Sequence, residues 1–327
     1  MGYNLDVKDK KILFELDYNA RQSFSEIGKK VGLGKQVVAY RINQMLKAGV
    51  IQKFLTIIDT AKLGYTNHKI FLRLQNINRQ KEKEIIGYLL NHPYVQWYAS
   101  ADGNYDMLFN LLAKDSLQLD GHLNELDKRF GQYIAEREVT IMLYAQFFYR
   151  DYLIDKYPKD VSRKKIFFGS VPAQIDIDEI NRKILKNLAN YSRTPTVEIA
   201  KQCGVSADAV ASRIKKLENA GIIQNYMLVL DNAVLGQMHY KVVLSLNSLS
   251  MGRANALDGF CNLHPNVYFT NRLIGPWQFE INLEVKDANE FRDFMLQLKE
   301  NFSDIIRSYL VFSLYKVHKF DFYPMKL

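Results

Sequence analysis

No apolar run in the chain approaches the roughly 20 residues that a membrane helix needs, so no helical membrane span is expected. The residues after Met1 lack the basic, apolar and small-residue succession of a secretory signal. Cysteine is nearly absent: Cys203 and Cys261 are the two present, and Val31 stands where Cys203 falls in the repeat described below, which points to packing. These absences predict a cytoplasmic protein. The six histidines (His68, His92, His122, His239, His264 and His318) show neither His-x-x-x-His nor Cys/His spacing, so no zinc or other metal site is expected. Neither a Gly-rich phosphate loop nor a nucleophile elbow occurs. On these grounds no cofactor and no enzymatic activity are predicted.

What is present suits two to four ordinary domains: 327 residues, 48% hydrophobic and 24% charged. The net charge of +9 is unevenly spread. Residues 5–59 carry ten Lys and Arg against six Asp and Glu, and residues 177–231 carry eight against six. Two segments of 55 residues thus hold most of the excess, as expected of a polyanion partner. Charged runs such as Arg79 to Glu84 read as solvated helix faces.

Those two segments are copies of one another. Val31-Gly32-Leu33 aligns with Cys203-Gly204-Val205, and Ala48-Gly49-Val50-Ile51-Gln52 with Ala220-Gly221-Ile222-Ile223-Gln224, both at a shift of 172 residues. The shift then holds without a gap through His92-Pro93 and His264-Pro265, Gly103 and Gly275, and Lys114-Asp115 and Lys286-Asp287. Residues 5–59 and their copy share 19 identities in 55 positions, concentrated at apolar, Gly and Arg positions, which marks a tandem duplication.

Each copy begins with three predicted helices. Asp6 and Asp178 can cap the first. Ser23 and Glu26 have capping-box spacing for the second, and Thr194-Pro195 takes that place in the other copy, with Pro suited to the first helical position. Gly32 and Gly204 end the second helix, and Gly49 and Gly221 the third. Val50 to Ile58 and Ile222 to Leu230 read as wing strands of a hairpin. In the third helix Val38, Ile42 and Met45 recur at helical spacing. The opposite face makes it a candidate recognition helix for the major groove of double-stranded DNA. Lys35, Gln36, Tyr40 and Asn43 are candidates for base edges or nearby phosphates. Arg41 is assigned to the DNA backbone, with an intradomain ion pair as the alternative. In the copy the candidates are Ser206, Ser212, Arg213, Lys215 and Lys216. Asp208 stands where Gln36 does and would repel phosphate, so this helix is expected to bind more weakly or read another sequence.

After the wing the period changes to two, and each copy reads βαββαβ, with last strands over 137–145 and 308–317. The fold class is α+β: two winged helix-turn-helix domains (1–60 and 176–232) alternate with two ferredoxin-like domains (61–149 and 233–327). A linker spans 150–175. It contains Tyr157-Pro158-Lys159-Asp160 and Ser162-Arg163-Lys164-Lys165, and its Ile166-Phe167-Phe168 is apolar enough to dock on a neighbour. The strand over 279–284 alternates Phe279, Ile281 and Leu283 with Glu280, Asn282 and Glu284, implying one solvated face. Met107 to Leu112 is apolar on both faces, so the first half's exposed sheet face is expected to be the stickier.

This order of motifs resembles the Lrp/AsnC family of transcription regulators. The resemblance is carried by Leu5-Asp6, Ile12-Leu13, Ala20-Arg21, Glu26-Ile27, Gly32-Leu33, Val38, Arg41-Ile42 and Gly49-Val50-Ile51, then by His92-Pro93, Val95 and Gly103-Asn104-Tyr105-Asp106. It covers nearly all of 5–146 and is repeated over 177–318; members usually carry one copy and dimerise. The resemblance implies sequence-specific DNA binding by an internal pseudo-dimer and sheet-to-sheet self-association, within the chain and between chains. It also implies an amino-acid effector at Gly103, Asn104, Tyr105 and Asp106, where a hairpin turn needing Gly is the competing reading. At the copied turn Pro276 and Gln278 remove an amide and a charge. Siroheme decarboxylases look like the same two-domain fold and can occur fused, so such an enzyme is the alternative function. The chain has Tyr105-Asp106-Met107-Leu108-Phe109 where that family tends to have an Asn-Leu-Trp-Phe-like strand.

Overall fold

The computed structural model describes residues 4–154, 165–169, 172–247 and 250–324. The linker's Tyr157-Pro158-Lys159-Asp160 and Ser162-Arg163-Lys164 lie outside them. Each half opens with a three-helix head: α1 (Val7–Tyr18), α2 (Phe24–Val31) and α3 (Lys35–Lys47), then α6 (Glu179–Asn190), α7 (Thr196–Cys203) and α8 (Ala207–Asn219). Local chemistry sets the boundaries. Asp6 and Asp9 form a reciprocal capping box on α1, Ser23 and Glu26 another on α2, and Gly32 closes α2 at φ 68°. Asp178 caps α6 by accepting the Asn181 amide. Pro195 stands at the N-cap of α7 rather than at its first helical position, and makes no side-chain cap. Apolar residues at helical spacing, among them Ile12, Leu16, Ile27, Val38 and Ile42, are buried in the first head.

The expected hairpin wings do not form. Each half contributes one strand, β1 (Ile51–Ile58) and β7 (Ile223–Leu230), and these pair with each other antiparallel. Neither run contains a turn dipeptide that could fold it back on itself. Both are largely buried, so each takes the other half's strand as its partner. Leu55 lies opposite Met227, its own copy, with Phe54 opposite Leu228 and Thr56 opposite Tyr226. The pairing is therefore isologous about a pseudo-two-fold axis.

The remaining strands close on themselves. The first half supplies β2 (Thr66–Leu74), β3 (Val95–Asp102), β4 (Met107–Ala113) and β5 (Ile134–Phe148), with α4 (Arg79–Asn91) and α5 (Ser116–Phe130). β6 (Lys165–Phe168) follows α5 and β5 and precedes the second head. The second half supplies β8 (Met238–Leu246), β9 (Val267–Ile274), β10 (Phe279–Val285) and β11 (Ile306–Phe320), with α9 (Met251–Leu263) and α10 (Ala288–Phe302). Within each half the strand order is ferredoxin-like. Between halves β3 pairs with β11 and β9 with β5, so the order β2-β4-β3-β11-β8-β10-β9-β5 returns to β2. Ser313 opposite Asp102 and Ile141 opposite Ile274 are equivalent positions of the two seams. The helices lie outside this barrel, over one apolar core per half.

Barrel closure explains three departures from the sequence reading. β5 and β11 extend well beyond the expected 137–145 and 308–317, because each pairs first within its own half and then with the other. The face of β10 read as solvated is buried: Glu280, Asn282 and Glu284 are 0%, 2% and 1% exposed. They point into the barrel between the halves. The apolar second face of β4 is buried there too, so it is not a sticky surface. Ile166 and Phe168 of β6 are buried where that strand pairs with β5. Among the described residues no helix is long and apolar enough to cross a membrane.

Candidate nucleic-acid interface

The third helix of each head presents one face to solvent. In α3, Val38, Ile42 and Met45 anchor the helix inward, while Lys35, Gln36, Tyr40 and Asn43 are exposed, Tyr40 at 64%. Large aromatic surface left in water beside cationic and amide groups suits contact with a polar, flat-faced partner. In α8, Ser212, Lys215 and Lys216 are exposed, and so is Asp208 in the first turn. Ser206 is the helix cap, its hydroxyl accepting the Ala209 amide at 3.1 Å.

Arg41 makes the intradomain ion pair given as the alternative to a DNA-backbone contact, and Arg213 does the same in the other head. Arg41 Nη1 lies 2.8 Å from both Asp6 and Asp9, and these hydrogen bonds, that to Asp9 first, raise the guanidinium further. Arg213 Nη1 meets Asp178 at 2.6 Å and Asn181 at 3.1 Å. Each ties the recognition helix to the capped N-terminus of the first helix, where a carboxylate already satisfies free amides. Their spacing of 35 residues from Asp6 and Asp178 repeats in both copies, a signal that favours the ion pair.

The heads are fixed to one another by a reciprocal clamp. Arg21 Nη1 donates to the Ser192 carbonyl at 2.5 Å and the Thr194 carbonyl at 3.2 Å. Its copy, Arg193, donates to the carbonyls of Ala20 and Gln22, the latter at 3.0 Å. Arg21 also stacks on Tyr226, and Arg193 on Phe24 and Phe54. The Ala20 amide donates to Tyr226 and the Ser192 amide to Phe54, again as equivalents. With β1 and β7 paired beneath, α3 and α8 belong to one rigid pair.

The turn at 103–106 is occupied by its own fold. Gly103 has φ 140°, and a Cβ there would lie 2.8 Å from the Val311 carbonyl of the opposite half. Only glycine permits that approach. Tyr105 is buried against Phe71 and Phe312, with its hydroxyl 3.1 Å from Glu136. The Asp106 carboxylate accepts the Leu74 amide at 2.7 Å, and Asn104 is exposed. The carboxylate expected to meet a ligand ammonium thus also ties down the end of β2, on an exposed residue.

The barrel interior holds the Glu280 and Glu284 read as solvated, with charged partners the sequence did not single out. Arg150 joins Asp17 of α1, at 2.7 Å, to Glu284 of β10, also at 2.7 Å, and Tyr152 donates to Glu284. Lys69 and Lys241 both bind Glu280, Lys69 at 2.7 Å. Asn271 and Asn282 donate to the same carboxylate. Burial alone would raise Glu280 and Glu284; Lys241 with Lys69 overrides it at Glu280, and Arg150 at Glu284, so both carboxyls are held below their ordinary range. Burial lowers Lys241 and raises Asp17. A visible signal existed: these charges align with apolar residues of the copy, Asp17 with Ala189, Arg150 with Phe322, Glu284 with Leu112 and Glu280 with Leu108. A charge retained on only one side of a duplication implies an asymmetric partner. A cavity beside Lys69, Asn110 and Lys241 measures about 40 Å³, room for a water or two.

Fold and surface together define a two-headed winged helix-turn-helix protein on a shared ferredoxin-like barrel. The winged helix-turn-helix DNA-binding family matches residues 5–52 and again 177–224. An HTH-type transcriptional regulator of Mycobacterium tuberculosis is 32% identical over 139 residues, covering 42% of this chain and 92% of its own length. The transcriptional regulator AzlB of Bacillus subtilis is 34% identical, over 35% of this chain and 74% of its own length. The chain belongs to the Lrp/AsnC family and carries that family's unit twice in tandem. The siroheme decarboxylase NirDL has a similar fold, with a TM-score of 0.62 over 96% of this chain and 93% of its own, at 13% identity.

Proposed function

We propose that this protein is a DNA-binding transcription regulator in which one chain supplies both heads of a pseudo-dimer, and that it reads an operator with two unlike half-sites. One observation carries the reading: the heads are clamped as near-symmetric equivalents, yet the exposed faces of their third helices differ in chemistry. Lys35, Gln36, Tyr40 and Asn43 form the dominant reader. Lys215 and Lys216 hold phosphate in the other head, with Ser212 at the groove and Asp208 lowering affinity there. Arg41 and Arg213 set the pitch of each helix and are not DNA ligands. The proposal includes no amino-acid effector at the Gly103 turn, because Tyr105 and Asp106 serve the fold.

We read the chain as a regulator and not as an enzyme. The two helix-turn-helix heads and the named relatives support this. Likeness to siroheme decarboxylase is likeness of fold, and one fold hosts many functions. The test is a titration of purified protein against a selected duplex at several salt concentrations, beside an assay with siroheme. Affinity falling steeply with salt, with siroheme unchanged, is expected. Salt-insensitive binding, or decarboxylated siroheme, would contradict the reading.

A further inference from the structure

The charges ion-paired across this interior, Lys69, Asp17, Arg150, Lys241, Glu280 and Glu284, divide unequally between the halves. The first contributes Lys69, Asp17 and Arg150 to the boundary, a formal charge of +1. The second contributes Lys241, Glu280 and Glu284, a formal charge of −1. Joined as in the structure they cancel, and every one of these groups has a partner from its own or the opposite half. Lys69 and Lys241 are equivalents under the 172-residue shift, and one carboxylate, Glu280, serves both across the pseudo-two-fold. A true homodimer cannot do this, because its carboxylates come in pairs.

We infer that these buried charges make the inner sheet face of each half accept the other half and nothing else. A first half facing a second copy of itself would bury two Lys69 ammoniums with no carboxylate and a formal charge of +2. Two second halves would bury −2, with Glu284 deprived of Arg150. A single-copy relative offering an apolar face would strand Lys69 in the same way. Uncompensated charge in a closed interior is strongly unfavourable, so wrong pairings are rejected rather than merely less favoured. The chain is in this way insulated from exchange with further copies and with single-copy proteins of its own family. This inference rests on the barrel and stands whether or not the heads bind DNA.

Moving the carboxylate across the barrel tests it in the full-length protein. Glu280→Leu alone leaves two ammoniums unpaired and is expected to lower the unfolding midpoint by roughly 5–10 °C. Adding Leu108→Glu, the equivalent position of the first half, restores most of that loss. Both halves of the double variant then carry no net interior charge, so it loses exclusivity. Co-expressed with a differently tagged copy of the same variant, it should co-purify at several times the level seen for two wild-type chains. Lys69→Met with Glu280→Gln also neutralises both halves by another route and gives the same exchange readout should the transplanted acid fail to fold. A Glu280→Leu protein as stable as wild type would overturn the inference. So would neutral-half variants that exchange no more than wild type.

Discussion

Asp17, Arg150 and Glu284 meet where the first head rests on the barrel; at the equivalent boundary the same three places hold Ala189, Phe322 and Leu112. Both boundaries are buried: Arg150 is 6% exposed and Phe322 1%. One is a charged triad and the other part of the large apolar core. A homodimer must repeat the same solution at both, whereas a duplicated chain can specialise each side. The charged side gives orientation and selectivity, since removing any member strands the others. The apolar side gives cohesion that tolerates small changes of shape.

The largest expected effect comes from breaking the charged side alone. Arg150→Leu leaves Asp17 and Glu284 facing each other and is expected to cost about 3–5 kcal/mol in urea unfolding. Phe322→Leu on the other side should cost less than about 1.5 kcal/mol; equal losses would deny the contrast. Converting Asp17, Arg150 and Glu284 together to Ala, Phe and Leu copies the apolar boundary. The outcome should be neutral or a gain of up to about 4 kcal/mol, while a loss would mean that the triad contributes more than mutual compensation.

Acid should also weaken the fold. Burial holds His92 and His239 down to about 4, so they stay neutral in the folded protein. The unfolded chain binds protons at these sites from about pH 6.5 downward. Stability is therefore expected to fall between pH 6.5 and 4, by at most about 1.4 kcal/mol per pH unit for each histidine. A flat urea midpoint across that window would contradict their burial as neutral groups. The smallest expected effects concern DNA. Asp208→Gln, which gives α8 the residue of α3, should raise affinity by about threefold to tenfold as one repulsive charge is removed. Arg21→Lys loosens the head clamp, and is expected to blunt discrimination between half-site spacings while leaving affinity for the best spacing within about threefold. Unchanged spacing preference would remove Arg21 from that role.

Much of this architecture was legible from the chain. The 172-residue repeat, the caps at Asp6, Ser23 and Gly32 and the period change after the first strand gave both heads and both βαββαβ units. Local signals sufficed because they are short-range. What escaped depends on contacts between halves. Nothing local tells Ile51 to Ile58 that its partner is its own copy rather than a hairpin mate. The alternation of β10 says that one face is polar, and polarity is normally a sign of water; here the partner is another half bearing Lys69 and Arg150. For Arg41 the sequence leaves a DNA-backbone contact and an intradomain ion pair open, and only the fold of α1 against α3 brings Asp6 and Asp9 to it.

The most direct test of the central claim is selection of bound duplex from a random pool, followed by footprinting of two variants on the recovered site. One carries Lys35→Ala with Tyr40→Ala, and the other Lys215→Ala with Lys216→Ala. The two-headed asymmetric reader predicts a site with two different half-sites, the first variant losing protection over one and the second over the other. A perfect palindrome on which both variants weaken both sides alike would contradict it.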